Sequence, residues 1–231
     1  MTDSVLPTLV DLLAGNADHA EQFTDQFDGL QDAQRPEAVT VTCADSRVLS
    51  DHLWGNHEPG RLFTCNTIGN RVTQRIDGDL AIAGDVLYPL LETGTELAIV
   101  VGHTGCGAVT ATYEAVTTGE THHAPGIAHC LEVLQPDIAP AVERLPSSLN
   151  AAAAVNHLVE FNVDRQVTRL VESEEIPDTV TVVGVVYDFQ DVYSSRRGMV
   201  HLTNVDGERD PERLRTEYPG IADRVSRQWN Y

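Results

Sequence analysis

The run Leu97-Ala98-Ile99-Val100-Val101-Gly102-His103-Thr104-Gly105-Cys106-Gly107 passes from five apolar residues into a glycine-rich turn. Leu97–Val101 is apolar throughout, as a strand covered on both faces requires. The glycines that follow turn the chain into a helix reaching about Val116. Working outward, Ala38–Thr42 reads as a β-rich run ending at Cys43, and Arg61–Thr64 as a second strand. Thr179–Tyr187 and Met199–Val205 read as a fourth and a fifth. Between them lie helical patterns: Asp79–Thr93 closed by Gly94, a short helix ending near Pro136, and a long apolar stripe over Asn150–Glu174. Asp210-Pro211 has the form of an N-cap followed by proline and starts a last helix. Strands alternating with helices predict an α/β fold: a mainly parallel four-stranded sheet with an added fifth strand, flanked by helices.

Ahead of this core, the sequence predicts a helical arm. Asp3 or Ser4 caps a first helix with Leu6, Leu9, Val10 and Leu13 on one face and Gly15-Asn16 as its stop. A second helix then runs to about Phe27. The expected organisation is a single domain over 1–231, with the arm over 1–35, the α/β core over 36–205 and a C-terminal helix over 206–231.

The 231 residues carry 35 Asp plus Glu against 15 Lys plus Arg, a formal charge of −20. All the basic residues are arginines. So acidic a surface repels phosphate backbones and anionic lipid, which argues against nucleic acid and membrane partners. Dense carboxylates without lysine also fit life in concentrated salt, where screening relieves their repulsion. No apolar run is long enough to span a bilayer, and the acidic start does not resemble a secretory signal. Four cysteines without an export signal point to a reducing cytoplasm, where a metal or catalytic role is favoured over disulfides.

Two motifs fall at strand carboxyl ends, where open α/β sheets place their chemistry. One is Cys43-Ala44-Asp45-Ser46-Arg47; the other is Gly102-His103-Thr104-Gly105-Cys106-Gly107. Cys43, His103 and Cys106 suit one zinc ion, and three protein ligands leave the open position of a catalytic site. Singly, each is more often an inert core residue, and Asp45 with Arg47 more often a weak loop ion pair. Together they make that coincidence improbable. The spacing Gly102 to Gly107 begins like a P-loop, but Ala108-Val109 stand where Lys and Ser/Thr should follow. A Cys–His–Asp hydrolase would use Cys43 and His103 yet give Cys106 and Arg47 no task.

These residues resemble the β-class carbonic anhydrases. The resemblance rests on V-T-V-T-C-A-D-S-R-V (39–48) and V-V-G-H-T-G-C-G-A-V (100–109). Looser similarity extends over 12–16, 58–63, 161–167 and V-V-G-V-V-Y-D (182–188). It implies that Cys43, His103 and Cys106 bind one Zn2+ per chain and that Asp45 and Arg47 form a catalytic dyad. The implied reaction is reversible hydration of carbon dioxide to bicarbonate and a proton, by a homodimer or dimer of dimers. Carbon disulfide or carbonyl sulfide hydrolysis on the same scaffold, and a zinc-binding regulatory module without turnover, are the alternatives. One departure is clear: the family usually has Arg-Asn after the second strand, and this chain has Asn66-Thr67. One subtype is gated by bicarbonate in a side pocket made by a tryptophan, that arginine and a tyrosine. The matching places here hold Thr40, Asn66 and Thr168, which implies an ungated site. Cys65 and Cys130 read as small core hydrophobes, and His122, His123 and His129 as solvated loop residues.

Overall fold

The computed structural model describes residues 5–119 and 122–229. Five strands form one sheet in the order β2-β1-β5-β6-β7: β1 (Ala38–Cys43), β2 (Leu62–Thr67), β5 (Leu97–His103), β6 (Thr181–Asp188) and β7 (Met199–Val205). The first four are parallel and β7 is antiparallel to β6. From β1 the chain steps outward to β2 and later returns on the opposite side of β1 as β5. The strand order therefore reverses between β1 and β5, and a crevice opens at their carboxyl ends.

The sheet has two apolar faces. On one, Val39, Val41, Val100 and Val186 belong to the same apolar cluster as Leu158, Val159, Val163 and Val167 of the long helix α5 (Ala151–Val171), which packs on β5 and β6. On the other face Val101, Val185, Leu202 and Val205 meet Leu214 and Val225, with Leu53 and Trp54 partly covering them. Coverage on both sides explains why Leu97–Val101 of β5 carries no polar/apolar alternation, and why Thr40 and Thr42, which alternate with Val39 and Val41 in β1, are buried as well. Two glycines let α5 settle close to the sheet. A Cβ at Gly102 would lie 2.5 Å from Val163 Cγ2, and one at Gly184 would lie 2.8 Å from Val163 Cγ1.

Several boundaries differ from the sequence reading, each for a physical reason. The arm is one helix, α1 (Val5–Phe27), running straight through Gly15. Nothing lies near the Gly15 Cβ position, so the glycine's cost of about 1 kcal/mol is not joined by any contact that would turn the chain. Asp3 and Ser4 lie outside the described residues. The helix expected over 79–93 is a hairpin followed by a shorter helix: β3 (Thr73–Ile76), β4 (Asp79–Ile82) and α2 (Gly84–Leu91). Asp77 and Gly78 both take positive φ, 52° and 99°, the two-residue turn that an Asp-Gly pair favours. That signal was present in the sequence and was outweighed there by the leucine spacing.

After α3 (Gly107–Thr118), α4 (Pro125–Val142) continues through Pro136 and Pro140. Burial of Leu134, Ile138 and Ala141 outweighs the two missing backbone bonds. Helix α6 (Pro211–Glu217) starts as expected, with the Asp210 carboxylate accepting from the N–H groups of Glu212 and Arg213.

Candidate metal centre

Cys43 ends β1 and His103 ends β5, and β1 pairs directly with β5, so adjacent strands present the two side chains side by side. Cys106 follows one tight turn later as the N-cap residue of α3. The turn requires Gly105 in the left-handed region, at φ 63°. The three ligand atoms lie within 4.8 Å of one another, and the two sulfurs are 3.7 Å apart. Among the described residues this is the one cluster of three such side chains placed to hold an ion; His122, His123 and His129 join none.

The cluster fits a zinc ion by the state of its atoms. His103 is buried, and its Nδ1 donates to the Thr104 carbonyl at 3.0 Å. That bond leaves Nε2 as the lone-pair nitrogen, and Nε2 is buried without a hydrogen-bond partner. The thiols share a proton unequally. A hydrogen bond from Cys106, with help from His103 and against burial, brings Cys43 down to about 5. Cys106, facing that thiolate and buried, is pushed well above the ordinary thiol value, although the N–H groups of Val109 and Ala108 oppose the rise. A dication held here by Cys43, His103 and Cys106 would take the place of that proton and let both sulfurs be anionic. Two soft sulfurs and one imidazole are a donor set that zinc prefers.

Asp45 lies beside the cluster. Its carboxylate accepts from Arg47 Nε at 2.8 Å, Arg47 Nη2 at 2.6 Å and the Arg47 backbone N–H at 2.9 Å. These bonds hold it well below the usual carboxylate range. Asp45 Oδ2 is 3.6 Å from His103 Nε2, so the carboxylate faces the buried histidine nitrogen that has no hydrogen-bond partner. Arg47 also donates to the Gly105 carbonyl at 3.2 Å.

The structure adds residues that sequence reading missed. Asn156 of α5 accepts the Gly105 N–H at 2.8 Å, which pins the ligand turn to the helix. Asp188, fully buried at the end of β6, receives the Thr104 hydroxyl and the N–H groups of Gln190, Val192 and Tyr193. Its place at the carboxyl end of a strand, in the V-V-Y-D stretch, was the available signal. Cys65 is buried, donates to the Asp85 carbonyl and is pushed up to about 12 by burial. Cys130 is half-buried beside Arg71 rather than in the core. Both sit apart from the cluster.

An open α/β sheet with a Cys2His cluster at its switch point and an ion-paired carboxylate beside it defines an enzyme of the open zinc-site class. A family model described as carbonic anhydrase matches residues 38–194, and the chain belongs to that family. Carbonic anhydrase 2 of Mycobacterium tuberculosis is 29% identical over 202 residues, covering 85% of this chain and 90% of that protein. The carbonic anhydrase of Helicobacter pylori strain J99 is 26% identical over 166 residues, covering 69% and 73%. The fold matches a tetrameric β-carbonic anhydrase of Sordaria macrospora with a TM-score of 0.69 at 19% identity, over 87% of this chain and 96% of that one. It also matches the Coccomyxa β-carbonic anhydrase in complex with acetazolamide, with a TM-score of 0.68 at 22% identity, over 91% and 90%. The chain is a zinc-dependent carbonic anhydrase, acting on carbon dioxide and bicarbonate.

Proposed function

We propose that Cys43, His103 and Cys106 are the ligands of one zinc ion per chain and that Asp45 and Arg47 are the catalytic dyad of carbon dioxide hydration. Bound zinc supplies acidified water, so that a nucleophile is available near neutral pH. Asp45, kept ionised by Arg47, can only accept hydrogen bonds. It therefore takes the O–H of the attacking oxygen and turns that oxygen's lone pair towards the substrate carbon. Arg47 occupies both carboxylate oxygens and so restrains Asp45 from rotating into the ligand set. The observation that carries this reading is the Asp45 carboxylate, locked by Arg47 with one oxygen 3.6 Å from His103 Nε2. Stopped-flow carbon dioxide hydration on protein of known zinc content tests it. Turnover in step with zinc content is expected; zinc-loaded protein without turnover overturns it.

The same site is ungated in our reading. Asn66 Oδ1 is taken up by the Thr42 and Ser50 hydroxyls, and the Thr168 hydroxyl by the Asp164 carbonyl. Thr40 is fully buried in β1. None of the three offers a bicarbonate ion a cation.

The chain is proposed to work as a homodimer or dimer of dimers, with residues 1–35 as an arm on the 36–205 core and 206–231 closing it. Of the α1 side chains from Leu6 onward, Phe23 alone is buried. Leu6, Leu9, Val10 and Leu13 form an exposed apolar stripe, which a lone helix must cover somewhere. On the sheet face away from α5 an open groove of ≈ 530 Å³, lined by Leu97, Ile99, Val183 and Val200 among others, offers a matching surface on a second copy. The charge of −20 without lysine supports a salt-adapted enzyme. The free cysteines support a cytoplasmic one.

A further inference from the structure

The arginine of the dyad is open to water: the Arg47 side chain is 50% exposed and that of Asp45 15%. An ion pair with so much solvent around its cation is weakly held, because water and side-chain entropy compete for the arginine. Something besides Asp45 has to keep the guanidinium in register. The Gly105 carbonyl supplies one bond. The other support is an aromatic ring from a distant part of the chain. The guanidinium carbon of Arg47 lies over the Phe189 ring, 4.9 Å from its centroid. The same ring stacks with His103 at 5.7 Å between centroids and 23° between planes, and Tyr187 meets it edge-on at 5.9 Å. One phenyl group thus touches both a zinc ligand and the dyad arginine.

The ring's own position is well determined. Phe189 is the first residue beyond β6, and its N–H donates to the Thr104 hydroxyl at 3.1 Å. The Thr104 N–H donates to the Tyr187 carbonyl at 3.1 Å. With Asp188 gathering three further N–H groups, the 187–193 turn is stitched to the ligand turn 103–106. These bonds fix the backbone that carries the ring, and turning the phenyl group away from Arg47 would open its stack on His103.

We propose that Phe189 is a positioning residue, an aromatic floor that holds Arg47 on Asp45 through the face of its ring, so that the orientation of the dyad depends on a π surface at this place. This role rests on the assignment of Asp45 and Arg47 as the dyad. An aliphatic side chain of similar size would fill the space and leave the metal ligands in place, but it would offer the guanidinium no negative ring face.

The test uses the full-length, zinc-loaded protein, with the Arg47 Nε–H resonance assigned by its loss in Arg47→Lys. In the wild type that proton should exchange slowly with water. In Phe189→Leu it should exchange faster, with kcat lowered about tenfold, KM changed less than about twofold, and zinc still one per chain. Phe189→Met, which keeps volume without a π face, should behave alike and covers the case in which the leucine variant does not fold. Phe189→Tyr should restore both the slow exchange and kcat. Unchanged exchange and unchanged kcat in the Leu and Met variants overturn the role of Phe189 alone. Faster exchange with kcat intact overturns the dyad assignment and this role with it. A fall in kcat that merely follows loss of zinc makes the ring a wall of the metal pocket and also overturns the proposal.

Discussion

Two of the arginine–carboxylate clusters in this molecule differ in almost every respect except chemistry. Arg47 and Asp45 stand at the mouth of the metal centre, the arginine half in water. Arg227 sits between Glu160 and Asp164 with 3%, 0% and 1% of the side chains exposed. Its Nη2 is 2.6 Å from Asp164 Oδ2 and 3.1 Å from Glu160 Oε1, and its Nη1 donates to the Thr203 carbonyl. Glu160 takes the N–H groups of Gln228 and Trp229 and the Tyr193 hydroxyl, while Asn204 donates to Asp164. This second cluster clasps the C-terminal segment onto α5 and β7. Because a buried charge is costly when unpaired, its members are tied to stability. The exposed pair contributes little to folding, and its value is the direction in which it holds one carboxylate.

The largest effect separates the metal from both clusters. Cys106→Ser should lose zinc and reduce carbon dioxide hydration to background, with Cys43→Ser and His103→Ala alike, whereas Cys65→Ser and Cys130→Ser keep both. Metal analysis beside stopped-flow rates checks this. Next, Arg227→Ala should cost about 3–5 kcal/mol in urea unfolding, because it strands two buried carboxylates. Trp229, packed at the end of the clasp against Phe161 and His157, gives a fluorescence signal for its release. The folded fraction should still bind zinc.

Asp45→Asn is the converse. Turnover should fall about a hundredfold, equivalent to about 2.7 kcal/mol, while unfolding free energy moves by less than about 1 kcal/mol. A stability loss as large as that of Arg227→Ala would erase the distinction between the clusters.

Salt should act on the surface and spare the buried clasp. Melting temperature and activity should rise from dilute buffer into molar KCl, and Arg227→Ala should show the same rise from a lower start. A flat or falling trend contradicts salt adaptation.

The smallest effect is in pH, and the two clusters should show it with opposite sign. Burial raises the Glu160 carboxyl above its ordinary value, although Arg227, two backbone N–H groups and Tyr193 pull it back. A folded-state value above the unfolded one means that this group favours folding below about pH 4.3 and that the contribution is lost as pH rises through the folded value. Asp45, held low, contributes above the ordinary carboxylate range and loses that contribution only as strong acid protonates it. In urea unfolding followed upward from about pH 4, the wild type should lose ground to Glu160→Gln and gain ground on Asp45→Asn.

The legibility of the sequence follows the range of each interaction. β7 was readable to the residue and the start of α6 at its Asp210-Pro211 cap, since a run of strand-forming residues and an Asp-Pro cap act over a few neighbours. The hairpin over 73–82 was missed because leucines at helical spacing competed with a two-residue turn signal. The length of α1 was missed because an exposed glycine is a stop only when something beyond it turns the chain.

By itself, the sequence determined the donor set and the carboxylate beside it. Metal and acid–base chemistry need uncommon residue types, and these fall in two short motifs at the ends of strands whose apolar character places them in one parallel sheet. Only the tertiary structure decided that Phe189 lies under Arg47, that α5 approaches through Gly102 and Gly184, and that Arg227 closes over Glu160 and Asp164. Each of these joins residues far apart in the chain. Such contacts leave no periodicity or spacing in the sequence, and they form only when close packing brings the separate elements together.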